Sequence, residues 1–98
     1  MASGGVATAA EWLSAAADGG SGAIRIRYRL DAARHGAPGE LGLYDVTGRL
    51  LWRTVVGVAA PEVREWTVAP EMTGRPGVYF VRLRAGAAAW RRTVVVAR

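Results

Sequence analysis

Apolar and polar positions alternate along most of this chain with a period of two. From Ala23 to Leu30, Ile24, Ile26, Tyr28 and Leu30 share one face and Arg25, Arg27 and Arg29 the other. That pattern predicts a strand with one buried side. Tyr79, Val81 and Leu83 repeat it within Val78–Ala85, with Val78, Phe80, Arg82 and Arg84 opposite. Further strands are expected at Glu40–Tyr44, Arg49–Val56, Glu62–Val68 and Trp90–Ala97. The run Val94-Val-Val96 does not alternate and reads as buried, or nearly so, on both faces.

Turn residues separate these segments. Asp45-Val-Thr-Gly48 places an Asx acceptor three residues before a glycine, which predicts a tight turn in which Arg49 can pair with Asp45. Gly86 to Ala89 reads as the turn of a C-terminal hairpin. The loops Asp31–Gly39, Gly57–Pro61 and the stretch containing Pro70, Gly74, Arg75 and Pro76 complete the connections. Residues 1–22 are rich in alanine and glycine. They read as a flexible linker with a possible short edge strand near Trp12 and Leu13, and residues 23–98 as the folded domain. Six or seven short strands without a long helix predict an all-β, Ig-like antiparallel β-sandwich of about seven strands.

Composition narrows the chemistry. Ninety-eight residues make one domain. With no cysteine, disulfides and thiolate–metal sites are excluded, and with His35 as the single histidine a His-rich metal site is too. The carboxylates are scattered over turns, and the serines lie outside any G-x-S-x-G elbow. No phosphate-binding lysine loop exists, because all 13 basic residues are arginine. The expectation is a non-enzymatic domain without cofactor or metal. No apolar run approaches the ~18 residues of a membrane span.

The formal net charge of +5 invites an anionic partner. Arg25, Arg27 and Arg29 form the best candidate surface for one, with Glu40 or Glu65 as carboxylates that would instead neutralise a solvated strand face. The charge accompanies no nucleic-acid motif, so no nucleic-acid partner is expected. Trp52, Trp66 and Trp90 read first as core residues.

Three segments resemble a known family in order and content: Ile24–Leu30, Leu43-Tyr-Asp-Val-Thr-Gly-Arg-Leu50, and the hairpin from Gly77-Val-Tyr-Phe-Val-Arg-Leu83 to Arg91–Arg98. Over about residues 23–98 they look like the Ig-like C-terminal sorting domain of type IX secretion cargo. The Ig-like domain of the flagellar hook-capping protein is similar. The Pro-Asn-Pro segment frequent in the sorting family has no counterpart in Ser14–Gly20.

The resemblance implies a small domain of a larger exported chain, monomeric in itself. It would be recognised by a secretion-machinery protein at the outer membrane, with anionic lipopolysaccharide as a further partner. The route would run through the periplasm to the cell surface or medium. The family elements fall on Asp45, Gly48, Arg49, Gly77, Tyr79, Gly86, Arg92 and Arg98. Residues 1–22 would be the cleavable linker. A structural spacer of a surface or flagellar protein is the alternative, and a carbohydrate-binding module with stacked tryptophans a further one.

Overall fold

A computed structural model describes residues 11–30, 38–56 and 63–97. Among the described residues, seven strands form two antiparallel sheets: β1 (Trp12–Ala17), β2 (Ile24–Arg29), β3 (Gly39–Asp45), β4 (Leu50–Val56), β5 (Val63–Val68), β6 (Gly77–Ala85) and β7 (Ala88–Val96). One sheet has the order β1-β2-β5 and the other β4-β3-β6-β7. The chain is therefore an all-β sandwich. In a constant-type Ig domain the fourth strand joins the sheet of the first two. Here it pairs with β3 instead.

The alternating sequence explains the layers. Ile24, Ile26 and Tyr28 of β2 are buried, and so are Tyr79, Val81, Leu83 and Ala85 of β6. Their partners across the ladders, including Leu41 and Leu43 of β3, complete the same core. Among the described residues, no buried polar or charged residue interrupts it. The Val94–Val96 run departs from the expectation of two-sided burial. Val94 and Val96 are buried, but Val95 is 62% exposed. Val95 lies on the outer face of the four-stranded sheet, paired with Val78, which is 38% exposed.

Residues 12–17 form a full edge strand in register with β2, from Trp12↔Arg29 to Ala17↔Ile24. Leu13 enters the core at 2% exposure, and Ala15 and Ala17 pack against it. β1 lies against β7 and closes that side of the sandwich. The glycine tract after β1 is a hairpin loop. The Asp18 carboxylate accepts from the Gly20 N–H (3.1 Å) and the Ser21 hydroxyl (2.7 Å).

On the opposite side, β4 and β5 are the free edges of their sheets. Trp52 and Trp66 stand on the core-facing sides of these strands, opposite Leu43 and Ile26. Their rings meet edge to face, with centroids 5.8 Å apart and planes at 61°. They stopper the gap between the sheets, with Trp66 still 38% exposed. Trp90 is half-buried against the core near β1.

Candidate recognition surfaces

The β3–β4 turn and the β5–β6 connection meet at one end of the sandwich, because Asp45 and Tyr79 are direct cross-strand partners. Asp45 Oδ1 accepts from the Thr47 N–H (2.9 Å), the Thr47 hydroxyl (2.6 Å) and the Arg49 N–H (3.0 Å). These bonds close the loop between β3 and β4, where the Gly48 N–H also donates to the Asp45 carbonyl and the Asp45 N–H to that of Arg49, both at 3.0 Å. The Thr47 hydroxyl, followed by backbone N–H groups, favours the ionised carboxylate and holds it below the usual carboxylate range. The expected Asp45–Arg49 partnership exists, but it is made by the backbone of Arg49 and not by its guanidinium. Just after the turn the register shifts: Leu43 faces Trp52 and Tyr44 faces Leu50, leaving Leu51 as the extra residue of a bulge.

Tyr79 is the other pillar of this end. Its ring is buried at 4% exposure. Its hydroxyl lies 2.6 Å from the Arg75 carbonyl oxygen and 3.1 Å from that of Thr73. A tyrosine near the start of the sixth strand, bonded back to the chain a few residues upstream, is the tyrosine corner of Ig-like sandwiches. It ties down a connection that contains one 3₁₀ turn, Pro70–Met72. Asp45, Arg49, Gly77 and Tyr79 thus line one open groove. Gly86 sits at the far end of β6, in the two-residue turn Gly86-Ala87. Gly48 (φ +87°), Gly77 (φ +154°) and Gly86 (φ +57°) adopt backbone angles that side-chain-bearing residues rarely take. Folding alone accounts for glycine at each.

Arg25 and Arg27 project from the outer face of the three-stranded sheet, as expected. They share Glu65 of β5, whose carboxylate lies 3.7 Å from Arg25 Nε and 3.6 Å from Arg27 Nε. Arg29 is half-buried and pairs across the ladder with Trp12. Glu40, the other carboxylate expected here, belongs to the second sheet and meets Arg53 at 3.1 Å. The row is therefore partly neutralised.

The denser positive surface is one the sequence reading did not single out. On the outer face of the four-stranded sheet, Arg53, Gly42, Arg82 and Arg91 are successive partners across β4, β3, β6 and β7. Arg84 follows on β6, opposite Glu40. Four guanidinium groups thus face one carboxylate. The next row holds Tyr44 opposite Phe80, and Arg91 lies over the Phe80 ring at 5.3 Å. The Tyr44 ring folds back over Gly42, where a Cβ would come within 3.0 Å of it. Tyr44, Gly48, Phe80, Arg82 and Arg91 line a shallow hollow. Alternation had placed Phe80, Arg82 and Arg84 outward, but only the strand register brings Arg53 and Arg91 beside them.

Arg92 lies opposite Val81 on the core side of edge strand β7, but is itself exposed. Its Nη1 donates to the Arg91 carbonyl at 2.8 Å. Arg98 and His35 lie outside the described residues. Among the described residues no three His, Cys, Asp or Glu side chains cluster as metal ligands would, and no helix is long and apolar enough to cross a membrane. No protein-family model and no curated protein matches the chain.

Proposed function

We propose that the chain is a non-catalytic sorting domain that directs a larger secreted protein through type IX secretion machinery to the cell surface. The observation that carries this reading is the placement of the resembling segments. They become β2, the β3–β4 hairpin and the β6–β7 hairpin of a seven-stranded sandwich. Asp45, Arg49, Gly77 and Tyr79 then share one groove at a single end. An outer-membrane machinery protein would read that end. Because β1 is part of the sandwich, processing that spares the fold would cut before Trp12 and not anywhere in 1–22.

The test is export of a reporter carrying residues 1–98 in a type IX-competent bacterium and in a strain lacking the machinery. Release from the first strain alone is expected. Retention in both overturns the reading. Deleting Val94–Arg98 is not a useful variant, since Val94 and Val96 are core residues and their loss would unfold the domain.

A structural spacer is the second reading, favoured by a specific observation. The Asp45 carboxylate and the Tyr79 hydroxyl are both engaged by their own chain. A spacer predicts that the domain can be exchanged for another sandwich of equal length without loss of export. The carbohydrate reading gains nothing from the tryptophans. Trp52 and Trp66 at 61° offer no shared flat face for sugar rings.

A further inference from the structure

We infer that the outer face of the β4-β3-β6-β7 sheet is a docking surface for an acidic protein segment, with a carboxylate seated in the hollow between Arg82 and Arg91. The inference goes beyond the sorting proposal and stands without it.

Charge is the first ground. Arg82 and Arg91 are direct cross-strand partners, an arrangement that destabilises a sheet when the charges are alike. Among the described residues, neither Arg82 nor Arg84 has an ion-pair partner, whereas Arg25, Arg27 and Arg53 each have one. An incoming carboxylate would relieve this repulsion, and a guanidinium offers it two parallel donors. The Arg91–Phe80 stack supports one of these groups over the hollow.

The surroundings of the hollow select the partner. Leu50 is 44% exposed and pairs with Tyr44 at one side. Val78 and Val95 pair with each other at the next outward position beyond Phe80 and Thr93, at 38% and 62% exposure. Arginine beside aromatic side chains matches the composition of a protein interface, and the exposed aliphatic side chains add apolar area around it. A polyanion held by phosphate contacts alone has no use for Leu50, Val78 and Val95. The complementary partner is therefore a segment in which carboxylates alternate with apolar side chains.

The experiment titrates isotopically labelled domain, residues 1–98, with a blocked peptide of alternating glutamate and leucine. Separate titrations use inorganic phosphate and oligo-deoxythymidine, and resonance shifts map each site. The peptide should shift Phe80, Arg82, Arg91 and Thr93. The double variant R82E/R91E should weaken it by about tenfold or more. L50S/V95S, both exposed sites, should weaken the peptide by roughly threefold to tenfold and leave phosphate unaffected. Retained resonance dispersion in each variant confirms folding. Three results would overturn the inference: shifts confined to Arg25 and Arg27, affinity indifferent to R82E/R91E, or oligo-deoxythymidine binding as tight as the peptide with L50S/V95S silent.

Discussion

Replacing Tyr79 by phenylalanine removes one oxygen atom and tests whether this end of the sandwich is built by the tyrosine corner. The ring is buried at 4% exposure and would stay in place. What is lost is the hydroxyl's bond to the Arg75 carbonyl at 2.6 Å and its contact with Thr73 at 3.1 Å. A phenol has one proton, so the two carbonyls share a single donor, and the shorter bond is the stronger. A net hydrogen bond contributes about 0.5–1.5 kcal/mol, and stranding a partly buried acceptor adds to the loss. Arg75 is exposed, so water can reach its carbonyl and limit that addition. Y79F should therefore destabilise by about 1–2 kcal/mol. For a domain of this size that lowers the melting temperature by roughly 4–16 °C. Urea unfolding should show a lower midpoint with an unchanged slope. Hydrogen exchange should quicken first at Thr73 and Gly74, whose amides bond the Pro70 carbonyl across the tethered 3₁₀ turn. A melting point within about 1 °C of the parent, with exchange at Thr73 and Gly74 unchanged, would refute the account. Lost partner binding in a fully stable Y79F would instead make the hydroxyl a recognition group.

Four further perturbations follow from the same structure. Asp45 and Asp18 both have native pKa values below the ordinary carboxylate range, chiefly through hydroxyl donors, Thr47 and Ser21. Their ionised forms therefore stabilise the fold above the unfolded-state pKa of about 3.9. That contribution disappears as pH falls through the native values, so the melting-temperature gap between parent and D18N/D45N should narrow on acidification; a gap constant from pH 7 to about pH 2 would contradict this. G39A should destabilise by about 1–3 kcal/mol in urea titration, because the added Cβ would lie 2.7 Å from Leu30 Cδ2 and 3.2 Å from the Arg84 carbonyl oxygen; no loss would mean that Leu30 moves freely. A double-mutant cycle of W52L and W66L should return a coupling of about 0.5–1.5 kcal/mol for the edge-to-face pair, and zero coupling would show that the rings do not act together. R82Q should raise stability at low salt by about 0.2–1 kcal/mol by relieving the Arg82–Arg91 pair. The gain should fade near 1 M salt, where the Debye length is about 3 Å.

Much of the sandwich was legible because a strand's period fixes which side chains face inward. β2 and β6 show this residue by residue. Local turn chemistry was legible too: the Asx acceptor at Asp45 and the glycine at 48. β1 was less legible, because Ser14-Ala-Ala-Ala17 carries little strand propensity of its own. Its structure comes from pairing with β2 and from Leu13 entering the core. Val95 was misread because three valines in a row look alike whether the outer face is covered or open. The register decides that: Val94 and Val96 pair with Tyr79 and Gly77 on the core side, whereas Val95 pairs with the exposed Val78 on the outer face. The arginine row from Arg53 to Arg91 was invisible for a related reason. Its members are 38 residues apart in the chain, and a bulge at Leu51 resets the register that joins them.

These differences change where recognition should be sought. The motif residues Asp45, Gly48, Gly77, Tyr79 and Gly86 are accounted for by a turn, a tyrosine corner and three unusual backbone angles. A residue fully engaged in holding its own loop has few groups left to offer a partner. Such positions identify a fold family, since any sandwich built this way needs them, and for that reason they discriminate poorly between one partner and another. Specificity has to come from side chains that folding leaves unsatisfied. On the three-stranded sheet Glu65 already answers Arg25 and Arg27. On the four-stranded sheet the fold tolerates Arg82 facing Arg91, and among the described residues no carboxylate pairs with Arg82. A charge conflict that folding alone would remove is better evidence of a second constraint than a motif that folding explains. If R82Q is both more stable and unable to bind an acidic segment, the conflict is retained for binding. If R82Q is more stable and binds unchanged, the row is only a solvated face and recognition returns to the groove beside Asp45.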